Sequence, residues 1–341
     1  MTIYRSKAPL RIGLAGGGTD VAPYCDLYGG AILNATISMY AYASIEPRED
    51  HLIKLISADR QEEVSMAVSD SLEINGLLDL HKGVYNRLVK QFGFKTNGFT
   101  LTTFVDAPAG SGLGTSSTLM VAILGAFSEM LSLPLGEYDI AMLAYEIERN
   151  DLKMAGGKQD QYAANFGGVN FMEFYVNDKV IVNPLRIRQR YLDELSHNLL
   201  LYYTETSRLS STIIEAQAQN VRQKSEKSIE AMHKLKEQSI MMKEALLRGE
   251  LDKIGDILDF GWNFKKQMAS GITNPFIDQI YEGARSAGAT GGKISGAGGG
   301  GFMTFYCPGN TRFAVSEKLK SFGGATRRYE FTTTGLSTWS L

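Results

Sequence analysis

Apolar and polar positions in the first 185 residues follow two periods. Residues 31–46 and 52–57 are rich in β-branched and aromatic side chains, and residues 99–108 alternate in polarity, so these segments are predicted strands. Residues 80–92 and 138–149 repeat their apolar side chains at the spacing of an amphipathic helix. Strands and helices are therefore mixed in this part of the chain.

Beyond residue 185 the helical pattern predominates. Residues 199–206 are typical of a buried strand, whereas residues 210–248 and 275–287 carry apolar side chains at helical spacing. Neither part of the chain shows the regular strand–helix alternation of a parallel sheet, so the sequence predicts an α+β fold. The change of pattern, with a length of 341 residues, predicts two domains, residues 1–185 and residues 186–341.

Composition excludes several classes of protein. The formal net charge is −2, so no general basic field favours nucleic acid or an anionic membrane surface. Two cysteines, Cys25 and Cys307, do not suggest a disulfide framework, and no apolar run has the length of a signal peptide or a membrane span. We expect a cytoplasmic protein that binds neither nucleic acid nor membrane. Its oligomeric state is left open.

Glycine is the unusual component, because its 36 residues are clustered between apolar runs. The most informative cluster connects a predicted strand to an apolar helix. Successive glycines there let backbone N–H groups face one concavity beside the helix N-terminus, where anions and above all phosphates bind. Simple capping of the helix by a hydroxyl group is the alternative, although capping requires no glycine. The predicted phosphate-binding residues are Pro108, Gly110, Ser111, Gly112, Leu113, Gly114, Thr115, Ser116 and Ser117.

Other well-known glycine motifs do not fit the chain. The loop is not a Walker A sequence, and no G-x-S-x-G nucleophile elbow is present. Residues 296–301 match G-x-G-x-x-G, but a dinucleotide-binding fingerprint must follow a strand and open a helix. Here the predicted helix comes before the glycines and the strand comes after them, which argues against an NAD-dependent oxidoreductase.

Four charged residues are candidates for chemistry. Arg11 lies in a predicted strand, where an inward arginine is costly unless it meets an anion, although it can also lie on an exposed edge. Asp20 follows a glycine turn and can form an ordinary Asx turn. Glu148 lies near a helix C-terminus, where a carboxylate gains nothing from the helix dipole. Asp160 follows a Gly-Gly turn. Taken singly, Glu148 and Asp160 are more often solvated surface charges.

Three motifs, in this order, resemble the signature set of the galactokinase, homoserine kinase, mevalonate kinase and phosphomevalonate kinase (GHMP) superfamily. They are APLRIGLAGGGTD at residues 8–20, PAGSGLGTSS at residues 108–117 and KISGAGGGGF at residues 293–302. The resemblance covers most of the chain. It implies a two-domain α+β kinase that uses ATP and Mg²⁺, with the active site in the cleft between the domains.

The resemblance also implies roles for single residues. The loop 110–117 matches the site of the ATP phosphates, with Ser116 and Glu148 as the magnesium ligands. Asp160 matches the residue that orients or deprotonates the attacking hydroxyl group, and Arg11 matches the cation beside it. The implied substrate-binding residues, with the candidates for holding a substrate phosphate, are Gly18, Thr19, Asp20, Lys158, Arg208, Gly298 and Gly299; Lys293 is a further phosphate candidate.

The substrate is the least certain expectation. Galactokinases have Glu and His where this chain has Gly17 and Gly18. The motifs are most similar to those of the D-glycero-D-manno-heptose 7-phosphate kinase branch, which implies phosphorylation at C1 to a 1,7-bisphosphate in nucleotide-heptose synthesis. An L-fucokinase-like enzyme that acts at C1 of an unphosphorylated sugar is the first alternative. A non-catalytic sensor of ATP and sugar is a more distant one.

Overall fold

Strands and helices both run through the whole length of the computed structural model, which describes residues 2–206 and 210–341. The strands are β1 (Tyr4–Ala15), β2 (Gly30–Pro47), β3 (Leu52–Ser57), β4 (Glu62–Ala67), β5 (Phe99–Val105), β6 (Val169–Phe174), β7 (Val180–Pro184), β8 (Leu199–Tyr203), β9 (Gly291–Ile294), β10 (Phe302–Tyr306), β11 (Ala325–Arg327) and β12 (Ser337–Ser340). The predicted α+β fold is confirmed.

The helices have the following bounds: α1 (Tyr24–Tyr28), α2 (Asp79–Phe92), α3 (Thr115–Leu131), α4 (Glu137–Glu146), α5 (Gln159–Phe166), α6 (Gln189–Asn198), α7 (Ser210–Arg222), α8 (Glu226–Arg248), α9 (Ile254–Met268), α10 (Pro275–Ser286) and α11 (Thr311–Lys320). A π-helical turn, Ile147–Asp151, follows α4, and a 3-10 turn, Leu251–Lys253, precedes α9. No helix within residues 2–206 and 210–341 is long and apolar enough to cross a bilayer.

The strands form two sheets. The first has eight strands in the order β12-β1-β2-β5-β3-β4, with β6 paired to β2 and β7 paired to β6. The second has four strands in the order β11-β8-β10-β9. The 18 residues of β2 pair with β1 on one side, whereas on the other side β6 pairs near the start of β2 and β5 pairs near its end. This long strand is the centre of the first sheet.

Helix α3 carries apolar side chains on nearly all of its faces, and neighbouring elements cover nearly all of them. It packs on β1 and β2 and also contacts α2, α4 and α5. A helix buried in this way cannot shift or rotate without disturbing the core. Its N-terminus is therefore held firmly beside β1, where the backbone N–H of Arg11 donates to the carbonyl oxygen of Leu113 over 3.2 Å.

Two predicted helical segments differ in detail from the observed ones. The region 210–248 is divided into α7 and α8, and Lys224 between them has a φ of 54° that no α-helix contains. The predicted helix 138–149 ends as α4 at Glu146, and the chain continues in the π-helical turn. Neither change is marked by a glycine or a proline.

The division of the chain at residues 185 and 186 stays a prediction. The strand β12 pairs with β1 in the first sheet, although it lies at the C-terminal end of the sequence. One hydrophobic core includes Leu10 of β1 together with Leu201 of β8 and Phe302 of β10. Apolar packing therefore continues from the first sheet to the second.

Candidate active site

A cavity of about 460 Å³ lies where loops from both sheets meet. Its wall is built from the turn after β1, the loop before α3, the first turn of α3, the segment from Glu148 to Asp160, and residues of α7 and α9. Gly296 and Ala297 close it from the side of the second sheet. Four predicted residues that lie far apart in sequence, Arg11, Ser116, Glu148 and Asp160, are thereby brought to one cavity.

Arg11 and Asp160 form an ion pair at the wall of this cavity. Both Nε and Nη2 of Arg11 lie 2.6 Å from Oδ1 of Asp160, and Nη1 donates to the carbonyl oxygen of Gly112 over 2.5 Å. The arginine side chain is 4% exposed and the aspartate side chain 23%. The guanidinium group is therefore fixed in the wall, and the carboxylate stays accessible to a ligand.

The loop before α3 has the conformation expected of an anion site. Gly110, Gly112 and Gly114 have φ angles of 72°, 84° and 80°, a region that side chains disfavour. Gly114 is the N-cap of α3 and no side chain caps the helix, so the N–H groups of the first turn are left for a ligand. A Cβ atom on Gly114 would lie 3.0 Å from Cγ of Asp160. The loop and the carboxylate are direct neighbours.

The nine predicted residues of this loop are not equally placed. Gly110, Gly112, Gly114, Thr115, Ser116 and Ser117 line the cavity. Ser111 and Leu113 are fully buried beneath the loop, and Pro108 is exposed outside the cavity lining. We conclude that every second residue between 110 and 114 faces the cavity.

Ser116 and Glu148, the two predicted magnesium ligands, both line the cavity. Glu148 is 1% exposed and lies in the π-helical turn, where its Oε2 accepts a hydrogen bond from Nε2 of Gln161 over 2.5 Å. Ser116 lines the same cavity at the first turn of α3. Within the described residues no cluster of three His, Cys, Asp or Glu residues forms a metal cage. A hydroxyl group and a carboxylate are oxygen ligands of the kind that Mg²⁺ takes, with phosphate oxygens and water completing its shell.

Asp20 lines the cavity and also holds the helix that carries Asp160. Its Oδ2 accepts hydrogen bonds from the backbone N–H groups of Lys158, over 2.9 Å, and Gln159, over 3.1 Å, at the N-terminus of α5. A Cβ atom on Gly157 would lie 1.9 Å from the same oxygen, so only glycine permits this contact. Burial, with the nearby Asp160 carboxylate adding to it, raises the pKa of Asp20.

Several predicted substrate-binding residues lie elsewhere. Gly18 lines the cavity, but the Thr19 hydroxyl group is buried and donates to the carbonyl oxygens of Gly16 and Ala31. Nζ of Lys158 points to Asp178, at 2.7 Å, and not into the cavity lining. Arg208 lies outside the described residues. The substrate-binding role of these side chains stays a prediction, and the position of the Lys158 ammonium group gives it no support.

The third glycine-rich segment braces the loop before α3. Gly299 donates its N–H to the carbonyl oxygen of Ile272 over 2.9 Å, and Gly298 packs against the backbone of the same residue. A Cβ atom on Gly301 would lie 2.4 Å from the carbonyl oxygen of Ser111, which also accepts from the N–H of Phe302. Gly298 and Gly299 do not line the cavity.

Two lysines near the ion pair include one that sequence reasoning missed. Lys265 lines the cavity and donates to the carbonyl oxygen of Gly296 over 2.6 Å, and burial together with the nearby Arg11 cation lowers its pKa to about 8. Lys293 donates to the carbonyl oxygen of Gly13 over 2.7 Å, and burial, Lys265 and Arg11 lower its pKa further. The signal for Lys265 is its position on the buried stripe of α9, where the spacing calls for an apolar residue.

Family comparisons match both parts of the chain. Residues 79–168 match the family described as GHMP kinases N terminal domain, and residues 242–325 match the family described as GHMP kinases C terminal. The first match contains the loop before α3 together with Glu148 and Asp160. The second contains Lys265 and the glycine-rich segment 296–301.

Individual relatives cover most or all of the chain. A D-glycero-alpha-D-manno-heptose 7-phosphate kinase from Campylobacter jejuni is 46% identical over 341 residues, which is 100% of both chains. A crystal structure of a D-glycero-D-manno-heptose 1-phosphate kinase from Bacteroides thetaiotaomicron has a TM-score of 0.85 and 45% identity, with 98% of each chain covered. A bifunctional fucokinase/GDP-fucose pyrophosphorylase from Arabidopsis thaliana is 26% identical over 307 residues, 87% of this chain and 29% of that protein.

Proposed function

Because the chain belongs to the GHMP kinase family and is a phosphotransferase, we propose that it phosphorylates the C1 hydroxyl group of D-glycero-D-manno-heptose 7-phosphate with MgATP as donor. The observation that carries this proposal is the Arg11–Asp160 ion pair beside the glycine loop of α3. The product is a 1,7-bisphosphate, an intermediate suited to nucleotide-heptose synthesis. Since the reaction consumes ATP, we place it in the cytoplasm.

The loop 110–117 binds the ATP phosphates in this proposal. Its glycines turn backbone N–H groups toward the cavity, and the uncapped first turn of α3 adds further donors and the positive end of the helix dipole. Phosphoryl transfer demands mainly positioning and neutralisation of charge from the protein. A loop fixed to a buried helix meets the first demand.

Asp160 acts on the sugar. Its accessible carboxylate accepts the hydrogen bond of the C1 hydroxyl group and takes the proton as the new bond forms. Arg11 fixes the carboxylate through two contacts from one side, which leaves Oδ2 free of Arg11 to face the hydroxyl group. Asp20 supports the same arrangement because it holds the N-terminus of α5.

Ser116 and Glu148 are the residues proposed to hold Mg²⁺. The hydroxyl group and the carboxylate both line the cavity, and the bond from Gln161 fixes the rotamer of the carboxylate. A magnesium ion held by these two residues would neutralise negative charge on the ATP phosphates.

The two heptose phosphate kinases that match 98% or more of the chain support a heptose phosphate as the substrate. A proposed heptose 7-phosphate has an anion distant from the reacting hydroxyl group, so the cavity must supply a second cationic site. Arg149 and Lys153 line the cavity on the segment before α5 and are suited to this function. Nε of Arg149 is buried without a hydrogen-bond partner in the described residues.

The proposal is tested by incubating the protein with MgATP and one acceptor at a time: the heptose 7-phosphate, hexose 6-phosphates, L-fucose and mannose. We expect ADP release with the heptose phosphate. ³¹P NMR of the product should show a phosphate ester at the C1 oxygen. The Asp160→Asn variant, purified in the same way, controls for contaminating kinases. ADP release with hexose 6-phosphates alone would reject the heptose as substrate.

L-Fucose is the second candidate acceptor, since the fucokinase relative covers 87% of the chain. Turnover with fucose and not with the heptose phosphate would replace the proposal by this alternative. Binding of ATP and sugar without turnover of any acceptor would identify a sensor. One cavity contains all four candidate catalytic and metal-binding residues, Arg11, Ser116, Glu148 and Asp160, which argues against a sensor.

A further inference from the structure

Three basic side chains from three different elements are buried together at the wall of the cavity. They are Arg11 of β1, Lys265 of α9 and Lys293 of β9, which are 3%, 2% and 4% exposed. A Cβ atom on Gly17 would lie 3.5 Å from Nζ of Lys265 and 3.8 Å from Nζ of Lys293, so the two amines flank the same glycine. Buried cations are costly and are retained where they meet anions.

The anions of the described residues do not balance this cluster. Asp160 is paired with Arg11, and Oδ2 of Asp20 is engaged by two backbone N–H groups. Lys265 donates a hydrogen bond to the carbonyl oxygen of Gly296 and Lys293 donates one to that of Gly13, and neither lysine forms an ion pair within residues 2–206 and 210–341. The cluster is therefore suited to an anion that a ligand brings.

The two lysines differ in their access to that ligand. Lys265 lines the cavity, whereas Lys293 lies behind it against Gly13. Burial, with the nearby Lys265 and Arg11 charges, lowers the pKa of Lys293. The two basic side chains of the cluster that line the cavity are thus Lys265 and Arg11.

We propose that Lys265 is a further catalytic residue, whose ammonium group binds the phosphoryl group while it passes from ATP to the sugar. In this step the bond from the terminal phosphorus to the bridging oxygen of ADP breaks and a bond to the C1 oxygen forms. The proton of the hydroxyl group goes to Asp160. Lys265 has the required position because its partner Gly296 touches Gly112 of the phosphate loop, and Gly112 in turn accepts from Arg11.

The inference rests on the proposed kinase reaction but not on one particular sugar. The test uses whichever acceptor the wild-type protein phosphorylates, so that rejection of the heptose leaves it intact. We expect Lys265→Met to lower kcat by about 10²–10³-fold, the usual effect of losing one charge-stabilising donor in a transition state. The KM for the sugar should change little. The variant should melt at or above the wild-type temperature, because the substitution removes a buried charge.

The neighbouring Lys266 provides the matched control. Its Nζ lies over the ring of Trp262 at 5.6 Å and it does not line the cavity, so Lys266→Met should keep wild-type kinetics. A kcat of Lys265→Met within about threefold of the wild type would overturn the proposal, since the loss of a transition-state donor costs far more. A raised KM for the sugar with unchanged kcat would overturn it as well, because Lys265 would then hold the acceptor only.

The pH profile separates catalysis from a structural effect. The charged form of Lys265 is present below its pKa of about 8, so kcat/KM of the wild type should fall as the pH rises through that value. The charged groups that act on Lys265 are Arg11 of β1, Asp20 of the following turn and Lys293 of β9. The alkaline fall should be missing from the residual activity of Lys265→Met. Its persistence in that variant would assign it to another group and contradict the proposal.

Discussion

Two glycine-rich loops meet at the active site, and they use glycine for different physical reasons. In the loop 110–114, alternate glycines have positive φ angles and face the cavity, and the loop opens into a buried helix. In the segment 296–301, the glycines lie where a Cβ atom would collide with another backbone: Gly112, Ile272, Thr206 and Ser111. We propose that the first loop presents donors to a ligand, whereas the second lets two sheets approach each other.

This difference shows what a glycine cluster does and does not reveal. In both loops the chain needs positions without a side chain, so both look alike in sequence. The neighbours of the missing Cβ atom distinguish them. A Cβ atom on Gly114 would meet the side chain of Asp160, whereas one on Gly298 or Gly301 would lie within 3 Å of a backbone carbonyl oxygen. Gly112 combines both features, because it lines the cavity and its Cβ atom would lie 2.5 Å from the carbonyl oxygen of Ser295. Substitutions should therefore separate the two loops by what they damage, catalysis or stability.

The largest effect is expected where the first loop meets the carboxylate. Asp160→Asn keeps the shape beside Gly114 but removes the base, so turnover should fall by about 10²–10⁴-fold. The dissociation constant of MgATP should stay near that of the wild type, because the loop amides are unchanged. Steady-state kinetics and calorimetric titration with a non-hydrolysable ATP analogue measure the two quantities. Turnover like that of the wild type would remove Asp160 from the mechanism.

A substitution in the second loop should mainly lower the stability of the fold. Gly301→Ala places a methyl group at a φ of 89° and 2.4 Å from the Ser111 carbonyl oxygen. The free energy of unfolding should fall by about 1–3 kcal/mol from overpacking, in addition to about 1–2 kcal/mol for the backbone conformation. The displaced Ser111 should also raise the KM for ATP. Chemical denaturation measures the first effect and initial rates the second.

Gly309→Ala is the control for that substitution. Its φ is 60° and nothing lies within 4 Å of the added methyl group, so it carries the conformational cost alone. Equal destabilisation of both variants would show that the contact between the two loops contributes nothing.

The smallest effects are expected from the hydroxyl groups at the first turn of α3. Ser116→Ala should raise the Mg²⁺ concentration for half-maximal rate by about tenfold, in the range expected for losing one bond to a charged group. Thr115→Ala removes a neighbouring hydroxyl group without a proposed ligand role and should change it by less than about threefold. Titrations of rate against Mg²⁺ compare the variants. A larger increase in the Thr115→Ala variant than in the Ser116→Ala variant would assign the metal contact to Thr115.

Much of the fold could be predicted, because periodicity reports which faces are buried. The strand β5 and the helix α2 were predicted to within about three residues of their observed ends. The break between α7 and α8 could not be predicted, since Lys224 adopts a left-handed conformation that no glycine or proline in the local sequence indicates. The return of β12 to the first sheet depends on tertiary pairing, which a local pattern does not contain.

The parts of the site that lie within recognisable sequence motifs could be predicted. Arg11, Asp160, Glu148 and the loop 110–117 were found from their sequence context and lie in one cavity. The motif did not show that Lys158 is paired with Asp178 or that the Thr19 hydroxyl group bonds to Ala31, because Asp178 and Ala31 lie outside the motifs. Lys265 has no motif around it. Only its position on an otherwise apolar helical stripe distinguishes it from Lys266.

The pairing of β12 with β1 has a consequence for the synthesis of the protein. Tyr4 faces Ser340, so the strand that carries Arg11 has no neighbour on that side until residues 337–340 have left the ribosome. An unpaired strand edge is a template for association with other chains. Nascent chains stopped before residue 337 are therefore expected to need chaperone protection, even when every motif of the active site has already been translated.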